Sequence, residues 1–219
     1  MIDSATMRLI QVLLRPIFYL LYHQFAWTYD LVAALVSLGR WQEWVRSALP
    51  FLSGRVLEIG FGPGHLQASL NEKNIPTFGL DESPQMVRIA TGRLRKNRAI
   101  NHLIRGYAQN IPFTGETFNS VVATFPADYI FDPQTLYEIR RVLLPAGQMV
   151  IIPTAWITGG HLLERLAAWV FRVSGEAPGK PHGLSSAMKA RFVHAGFEVR
   201  SEMVKKKGSQ VLVILAKKK

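Results

Sequence analysis

Short apolar runs alternate with stretches of helical periodicity from Arg55 to the end of the chain. The apolar runs predict seven strands, at 56–59, 75–80, 101–106, 117–124, 148–153, 197–204 and 210–216. The periodic stretches predict helices at 65–74, 84–97, 132–144 and 185–195. Strands that alternate with helices are typical of an α/β sheet covered by helices on both faces. A lysine-rich turn at 205–208 joins the last two strands, so the predicted sheet closes in a hairpin.

The first 50 residues have a different pattern. In residues 7–23 the polar positions are spaced by three and four, which places them on one narrow helical stripe beside a wide apolar face. Pro16 is expected to kink this helix because its ring removes a backbone donor. The pattern suits a helix lying in a membrane interface, and it equally suits a lid folded over its own domain. We therefore predict an N-terminal helical extension, 1–50, and one domain, 51–219, with an insertion at about 154–184.

Composition limits the classes of protein that fit. The 219 residues are enough for one sizeable α/β core, and 48% hydrophobic with 19% charged residues indicates a globular chain. The net charge of +11 favours polyanionic partners, either nucleic acid or an anionic membrane surface. No apolar stretch reaches the length of a transmembrane helix, and no signal-peptide cleavage site follows residues 7–21. We expect a cytoplasmic protein, peripheral to the inner face of the membrane.

A glycine-rich turn follows the first predicted strand. The stretch 55–65 places Gly60, Gly62 and Gly64 between an apolar run and a helical pattern. Glycine reaches backbone angles that a Cβ forbids, and it lets a ligand approach the main chain closely. The spacing differs from the G-x-G-x-x-G of dinucleotide-binding proteins, and no Gly-Lys-Ser/Thr follows as in a P-loop. The turn therefore predicts a different nucleotide-like ligand.

An aspartate ends the second predicted strand. Asp81 lies 17 residues beyond Gly64, close to the separation expected between a glycine turn and an acid that binds ribose. Ser83 and Pro84 then predict a helix start, since serine caps helices and proline is favoured at the first helical position. Met86 follows early in this helix.

Three stretches resemble class I S-adenosylmethionine-dependent methyltransferases. Residues 58–64 resemble motif I of that family, E/D-x-G-x-G-x-G. Residues 106–113 are similar to its G-D-A-x-x-L-P-F segment, with Tyr107 standing where an aspartate is common. The pair Tyr29-Asp30 resembles the N-terminal Tyr-Asp of ubiquinone/menaquinone-type small-molecule methyltransferases. Asp81 at the expected distance, the segment 106–113 and the closing hairpin together give the glycine turn the context that a lone triplet lacks.

The resemblance implies a Rossmann-like sheet of seven strands, with the last antiparallel to the rest. It also implies S-adenosyl-L-methionine as cofactor and S-adenosyl-L-homocysteine as product. The residues that it places at the cofactor are Tyr29, Glu58, Gly60, Gly62, Gly64, Asp81, Glu82, Met86, Ala108, Gln109 and Thr124.

Methyl transfer from a sulfonium is an in-line displacement, so the main task of the protein is to position the reactants. A general base is needed only where the nucleophile must lose a proton. In open α/β sheets ligands gather beyond the carboxyl ends of the strands, so the segment after the fourth strand should face the transferable methyl. The candidate catalytic residues are Tyr129 and Asp128 in that segment, together with His23. No metal site is predicted.

The range of possible methyl acceptors is narrowed by exclusion. The N-P-P-Y motif of amino-nucleobase methyltransferases is missing after the fourth strand, where residues 124–127 are Thr-Phe-Pro-Ala. The absence of cysteine excludes methylation of a pyrimidine C5 through a thiol adduct. We therefore expect a small, hydrophobic acceptor such as a lipid or quinone. Two alternatives stay open: an RNA methyltransferase that uses the basic surface, and a non-catalytic protein that binds the cofactor.

Overall fold

The computed structural model describes residue 37 and residues 39–97, 99, 102–158 and 184–219. The helix predicted at 7–23 and residues 159–183 of the predicted insertion lie outside these residues, and so do His23 and Tyr29. The division into an extension and a domain therefore stays a prediction.

Seven strands form one sheet in the order β3-β2-β1-β4-β5-β7-β6. The strands are β1 (Val56–Ile59), β2 (Thr77–Asp81), β3 (Leu103–Arg105), β4 (Phe118–Thr124), β5 (Leu143–Ile157), β6 (Phe197–Lys206) and β7 (Ser209–Lys218). Neighbouring strands from β3 to β5 pair in parallel, whereas β7 pairs antiparallel with both β5 and β6. The predicted α/β class and the antiparallel last strand are confirmed.

Five α-helices accompany the sheet in the described residues: α1 (Trp41–Val45), α2 (His65–Glu72), α3 (Pro84–Lys96), α4 (Pro133–Val142) and α5 (Ser186–His194). Short 3₁₀ helices follow α1 at Arg46–Phe51 and precede α4 at Asp128–Phe131. The predicted cap of α3 is confirmed, because Ser83 Oγ accepts a hydrogen bond from the Met86 amide at 3.3 Å. At α4, Asp132 occupies the cap position but its side chain makes no cap hydrogen bond.

Several element boundaries differ from the prediction, and two of the differences change the course of the sheet. The predicted fifth strand begins at 148, but β5 begins at Leu143 and continues through residues 145–147. A register shift beside Phe118 accommodates the extra residues, and Ala146 adopts a positive φ of 59°. The last hairpin turns at residues 207–208, later than predicted, because the preceding lysines still pair with β7.

The core lies in two layers because successive side chains of a strand point to opposite faces. On one face Leu57 and Ile59 pack in a cluster that includes Leu136 of α4 and Phe192 of α5. On the other face Val56 packs with buried residues of α1 and α2, namely Trp44, Leu66 and Leu70. None of the helices among the described residues is long and apolar enough to cross a membrane. The central strands β1 and β4 are thus packed from both faces, which fixes the positions of their carboxyl ends.

Candidate functional site

The carboxyl ends of β1 to β4 meet at one edge of the sheet. Because these strands are parallel and adjacent, the segments that follow them lie side by side. Those segments are the glycine turn 60–64, the acidic pair 81–82, the loop 106–113 and residues 124–131. The predicted cofactor residues within the described chain lie in these segments, apart from Glu58, which lies in β1, and Met86 at the start of α3.

All three glycines of the turn have positive φ, at 69° for Gly60, 51° for Gly62 and 81° for Gly64. Non-glycine residues seldom adopt this left-handed conformation, so the predicted need for glycine is met at each position. Gly64 is the N-cap of α2, and a Cβ added to it would lie 2.8 Å from the Ala90 Cβ of α3. A Cβ on Gly62 would instead meet no atom within 4 Å. The main chain at Gly62 is therefore open to close approach by a ligand.

Asp81 ties the glycine turn to the end of β2. Its Oδ2 accepts a hydrogen bond from the Gly62 amide at 2.8 Å, and its Oδ1 accepts one from the Ser83 amide at 2.9 Å. Burial raises the pKa of this carboxyl, while the two backbone hydrogen bonds oppose that shift. Each carboxylate oxygen has further acceptor capacity, so Asp81 can still accept hydrogen bonds from a pair of hydroxyl groups.

Glu58 is a buried carboxyl beneath the turn, with only 1% of its surface exposed. Its Oε2 accepts a hydrogen bond from Gln67 Nε2 at 2.8 Å, and the same Gln67 amide group donates to the Phe78 carbonyl at 3.2 Å. Burial raises the pKa of Glu58 to about 8, with a smaller contribution in the same direction from the charge of Asp81. Without a nearby cation this group is therefore largely protonated at neutral pH.

The pKa of Glu58 makes the stability of the protein depend on pH. The folded chain binds this proton more tightly than the unfolded chain, whose glutamate titrates near 4.5. The free energy of unfolding should therefore fall as the pH rises from about 4.5 to about 8, where the buried carboxylate becomes charged. Glu58→Gln removes this titration and should raise the melting temperature by at least ~5 °C at about pH 9, with little change near pH 5.

Thermal unfolding followed by circular dichroism at several pH values checks this prediction. Asp81 contributes a smaller dependence of the same sign, because its pKa is also raised, and this part should persist in the variant. If the melting temperature depended on pH equally in wild type and Glu58→Gln, the raised pKa of Glu58 would be contradicted.

Tyr129 reaches into this group of carboxyls from the 3₁₀ helix that follows β4. Its hydroxyl lies against Gly60, where an added Cβ would overlap it. Burial raises its pKa above the usual value, and the charges of Asp81, Glu82 and Glu58 raise it further. The phenol therefore stays protonated at neutral pH and acts as a hydrogen-bond donor.

An aromatic pair that was not predicted from the sequence borders the same edge. Trp41 of α1 packs on Phe125 with ring centroids 4.3 Å apart and an interplanar angle of 30°. Phe125 follows Thr124 directly and has a φ of 50°, which is strained for a residue with a bulky side chain. Such strain is concentrated at functional sites. No signal in the sequence indicates a positive φ at a phenylalanine.

A cavity of about 20 Å³ lies between the glycine turn and α1. It is lined by Trp41, Val45, Glu58, Gly60, Phe61, Gly62, Pro63, His65, Leu66 and Thr124. A larger cavity of about 380 Å³ lies at the opposite edge, where Thr77 begins β2 and His102 precedes β3. The larger cavity has none of the predicted site residues in its lining, so the size of a cavity does not indicate where the cofactor site lies.

The remaining predicted site residues differ in how far they are exposed to solvent. Ala108 is buried and Gln109 is half-buried in the loop after β3, and Met86 is half-buried near the start of α3. Glu82 and Asp128 are exposed. Tyr107, which replaces the aspartate of the family pattern, is 60% exposed. Among the described residues, no group of three or more histidine and acidic side chains could hold a metal ion.

The site fits a cofactor that carries a ribose and positive charge. Gly62 leaves room beside the main chain, and Asp81 has acceptor capacity for two hydroxyls. Although the chain has a net charge of +11, acidic groups (Glu58, Asp81 and Glu82) gather at this edge. Carboxyls close to a cation favour its binding, and S-adenosylmethionine carries both an ammonium and a sulfonium.

Comparison with known proteins finds relatives that are methyltransferases. Residues 56–147 match the model of a methyltransferase domain. The chain is 30% identical over 141 residues to a ubiquinone/menaquinone biosynthesis C-methyltransferase of Blochmanniella floridana, covering 60% of this chain and 56% of that protein. It is 28% identical over 203 residues to a demethylmenaquinone methyltransferase of Thermotoga maritima, covering 87% of each. The first alignment thus spans little more than half of the relative.

Solved structures with low sequence identity share the fold. The YcgJ protein of Bacillus subtilis superposes with a TM-score of 0.60 at 14% identity, covering 81% of this chain and 98% of that one. An S-adenosylmethionine-dependent methyltransferase of Methanosarcina mazei gives 0.55 at 19% identity, covering 78% and 96%. The matching domain, the glycine turn and the sheet together support assignment of the chain to the class I S-adenosylmethionine-dependent methyltransferases.

Proposed function

We propose that the protein transfers a methyl group from S-adenosylmethionine to a small, hydrophobic acceptor of the quinone type. The observation that carries the proposal is the edge where Asp81 holds the glycine turn beside Tyr129 and the Trp41–Phe125 pair. The names of the two sequence relatives, which refer to quinone biosynthesis and to demethylmenaquinone, support the choice of acceptor.

The cofactor would lie across the carboxyl edge. We assign the ribose hydroxyls to Asp81, because its two oxygens are already oriented by backbone amides. The turn lets the cofactor approach closely through its three glycines, Gly60, Gly62 and Gly64. Glu58 and Thr124 lie beside the turn at the cavity. We assign the adenine to the neighbourhood of Met86, Glu82, Ala108 and Gln109, and the region over the methionine end to Tyr29.

The bound cofactor supplies an activated methyl group, and the residues of this chain orient the acceptor and exclude water. Trp41 and Phe125 give the acceptor side an apolar, aromatic surface. The protonated Tyr129 hydroxyl can donate a hydrogen bond to an oxygen of the acceptor or cofactor. Asp128 and His23 stay candidates for a group that accepts a proton. Asp128 is exposed, so it could exchange that proton with solvent.

We also propose that the protein meets its acceptor at an anionic membrane surface. The wide apolar face predicted for residues 7–23 supports this, and so do the lysines near the β6–β7 hairpin and at the C-terminus. Attraction of such a basic chain to anionic lipid is expected to weaken as salt rises.

The test is methyl transfer from labelled S-adenosylmethionine to a demethylated naphthoquinol held in anionic vesicles. We expect transfer into the lipid fraction, and we expect the full chain to sediment with the vesicles more than a chain that lacks residues 1–23. Tyr129→Phe should lower kcat by about 10-fold, the effect of one lost hydrogen bond. The matched control Tyr137→Phe changes a tyrosine of α4 that is 59% exposed. This control should have the kcat of the wild type.

When RNA is added to the same assay, label in RNA and none in the quinol would contradict the proposed acceptor. Equal sedimentation of full and shortened chains would contradict the membrane part alone. Binding of the cofactor without transfer to any hydrophobic acceptor would favour a non-catalytic protein.

A further inference from the structure

One face of α4 holds the main chain of the loop after β3. Glu138 is a buried carboxyl, 6% exposed, and its Oε2 accepts a hydrogen bond from the Ile111 amide at 2.9 Å. Arg141 donates to the carbonyl oxygens of Ile111 at 2.9 Å and Phe113 at 2.7 Å. The two side chains also bind each other, through Arg141 Nε on Glu138 Oε1 at 2.8 Å and Arg141 Nη2 on Oε2 at 2.7 Å.

A third side chain of α4 extends this contact. Gln134 Nε2 donates to the Gln109 carbonyl at 3.4 Å. Residues 134, 138 and 141 are spaced by four and three, which places them on one face of the helix. This face thus contacts the backbone of the loop at residues 109, 111 and 113.

The loop has little structure of its own to fix its shape. Within residues 107–113, the backbone hydrogen bonds outside helices and strands are Asn110 N to the Tyr107 carbonyl and Phe113 N to the Ile111 carbonyl. Pro112 has no amide hydrogen to donate. The path of the loop therefore depends on the Glu138–Arg141 pair and on the buried side chains of Ala108 and Ile111.

The pair is built to stay charged and rigid. Hydrogen bonding from Arg141 lowers the pKa of Glu138, and the amide of Ile111 lowers it further. Fork-shaped hydrogen bonds between a guanidinium and a carboxylate are strong and fix orientation. The same loop begins at Gly106, whose amide donates to the Asp81 carbonyl at 3.0 Å. Its position is therefore coupled to the residue assigned to the ribose.

We propose that Arg141 and Glu138 are positioning residues for the cofactor: they hold residues 107–113 in the shape that meets the adenine. The inference rests on the proposed cofactor site and deepens it, because neither side chain belongs to the predicted cofactor set. Helix α4 also follows the segment that carries Tyr129, so one helix connects the loop at residues 107–113 with the acceptor side of the site.

The experiment compares Arg141→Met and Arg141→Lys with a matched control, Lys218→Met. Lys218 also binds main chain, donating to the Leu143 carbonyl at 2.6 Å, but at the amino end of β5, opposite the cofactor edge. Calorimetry with S-adenosylhomocysteine, thermal melting and amide hydrogen exchange of the loop are measured for each variant.

Arg141→Met should raise the Kd for S-adenosylhomocysteine by about 10-fold, and the KM for the acceptor should stay unchanged. It should also speed exchange of the Ile111 amide. Arg141→Lys should recover part of the affinity, because its single ammonium group keeps the positive charge and can still donate hydrogen bonds. Lys218→Met should lower the melting temperature without changing the Kd.

A lower melting temperature with wild-type Kd in Arg141→Met would overturn the inference and leave the proposed function standing. A rise in Kd in Lys218→Met equal to that in Arg141→Met would also overturn it, since the effect would then be general destabilisation. Failure of the wild-type chain to bind S-adenosylhomocysteine would overturn the proposed function, and this inference with it.

Discussion

Asp81→Ala is expected to weaken binding of S-adenosylhomocysteine by at least ~100-fold, because two charge-assisted hydrogen bonds to the ribose are lost together. The substitution also removes the acceptor of the Gly62 and Ser83 amides, so the glycine turn loses its connection to β2. Isothermal titration calorimetry measures the effect directly.

A second variant and a control separate the loss of the ribose hydrogen bonds from the loss of the connection between the glycine turn and β2. Asp81→Asn keeps the shape and one oxygen acceptor, so it should bind more tightly than Asp81→Ala and more weakly than wild type. Glu198→Ala removes an exposed carboxyl of β6, remote from the site, and it should bind like wild type. Wild-type affinity in Asp81→Ala would show that the ribose assignment is wrong.

Gly62→Ala is expected to reduce cofactor affinity by about 10- to 100-fold while costing only ~1–2 kcal/mol of stability. The φ of 51° is strained for alanine, but a Cβ at this position meets no atom within 4 Å. The added methyl group would therefore cause little harm to the free protein and would occupy space that the cofactor needs. Thermal melting and calorimetry on the same samples test both parts.

Two other glycines serve as comparisons. Gly64→Ala should mainly lower stability, because its Cβ would lie 2.8 Å from the Ala90 Cβ and 3.2 Å from the Ala90 Cα. Gly208→Ala, in the β6–β7 turn, has a φ of 66° and so carries a similar backbone strain away from the site. If Gly62→Ala bound the cofactor as Gly208→Ala does, close approach at Gly62 would be refuted.

The features that the sequence predicted well are those that depend on local chemistry. Three glycines within five residues have a positive φ because the turn from β1 into α2 demands it. Asp81 ends β2, and Ser83 caps α3, as their positions after an apolar run indicate. Local backbone requirements of this kind leave a direct signal in residue type.

The features that the sequence did not predict depend on contacts between distant segments. Gln67 reads as an ordinary polar helix residue, yet it is buried on Glu58. Arg141 and Glu138 read as an i, i+3 ion pair on a helix surface, yet both hold the loop around Ile111. Periodicity identifies the face of a helix but does not identify what packs against it.

The catalytic candidates show the same limit. The position of Tyr129 after β4 predicted the edge of the sheet at which its hydroxyl lies. Its contact with Gly60, and the rise in its pKa among three acidic residues, required the assembled fold. Asp128 is adjacent in sequence but exposed, because neighbouring residues of a short helix point in different directions.

The most direct test of the central claim is an electron-density map of crystals soaked with S-adenosylhomocysteine. We expect density along the carboxyl edge, with both ribose hydroxyls within hydrogen-bond distance of the Asp81 carboxylate and the ligand passing beside Gly62. Density for the ligand elsewhere on the protein, or a ribose that makes no contact with Asp81, would contradict it.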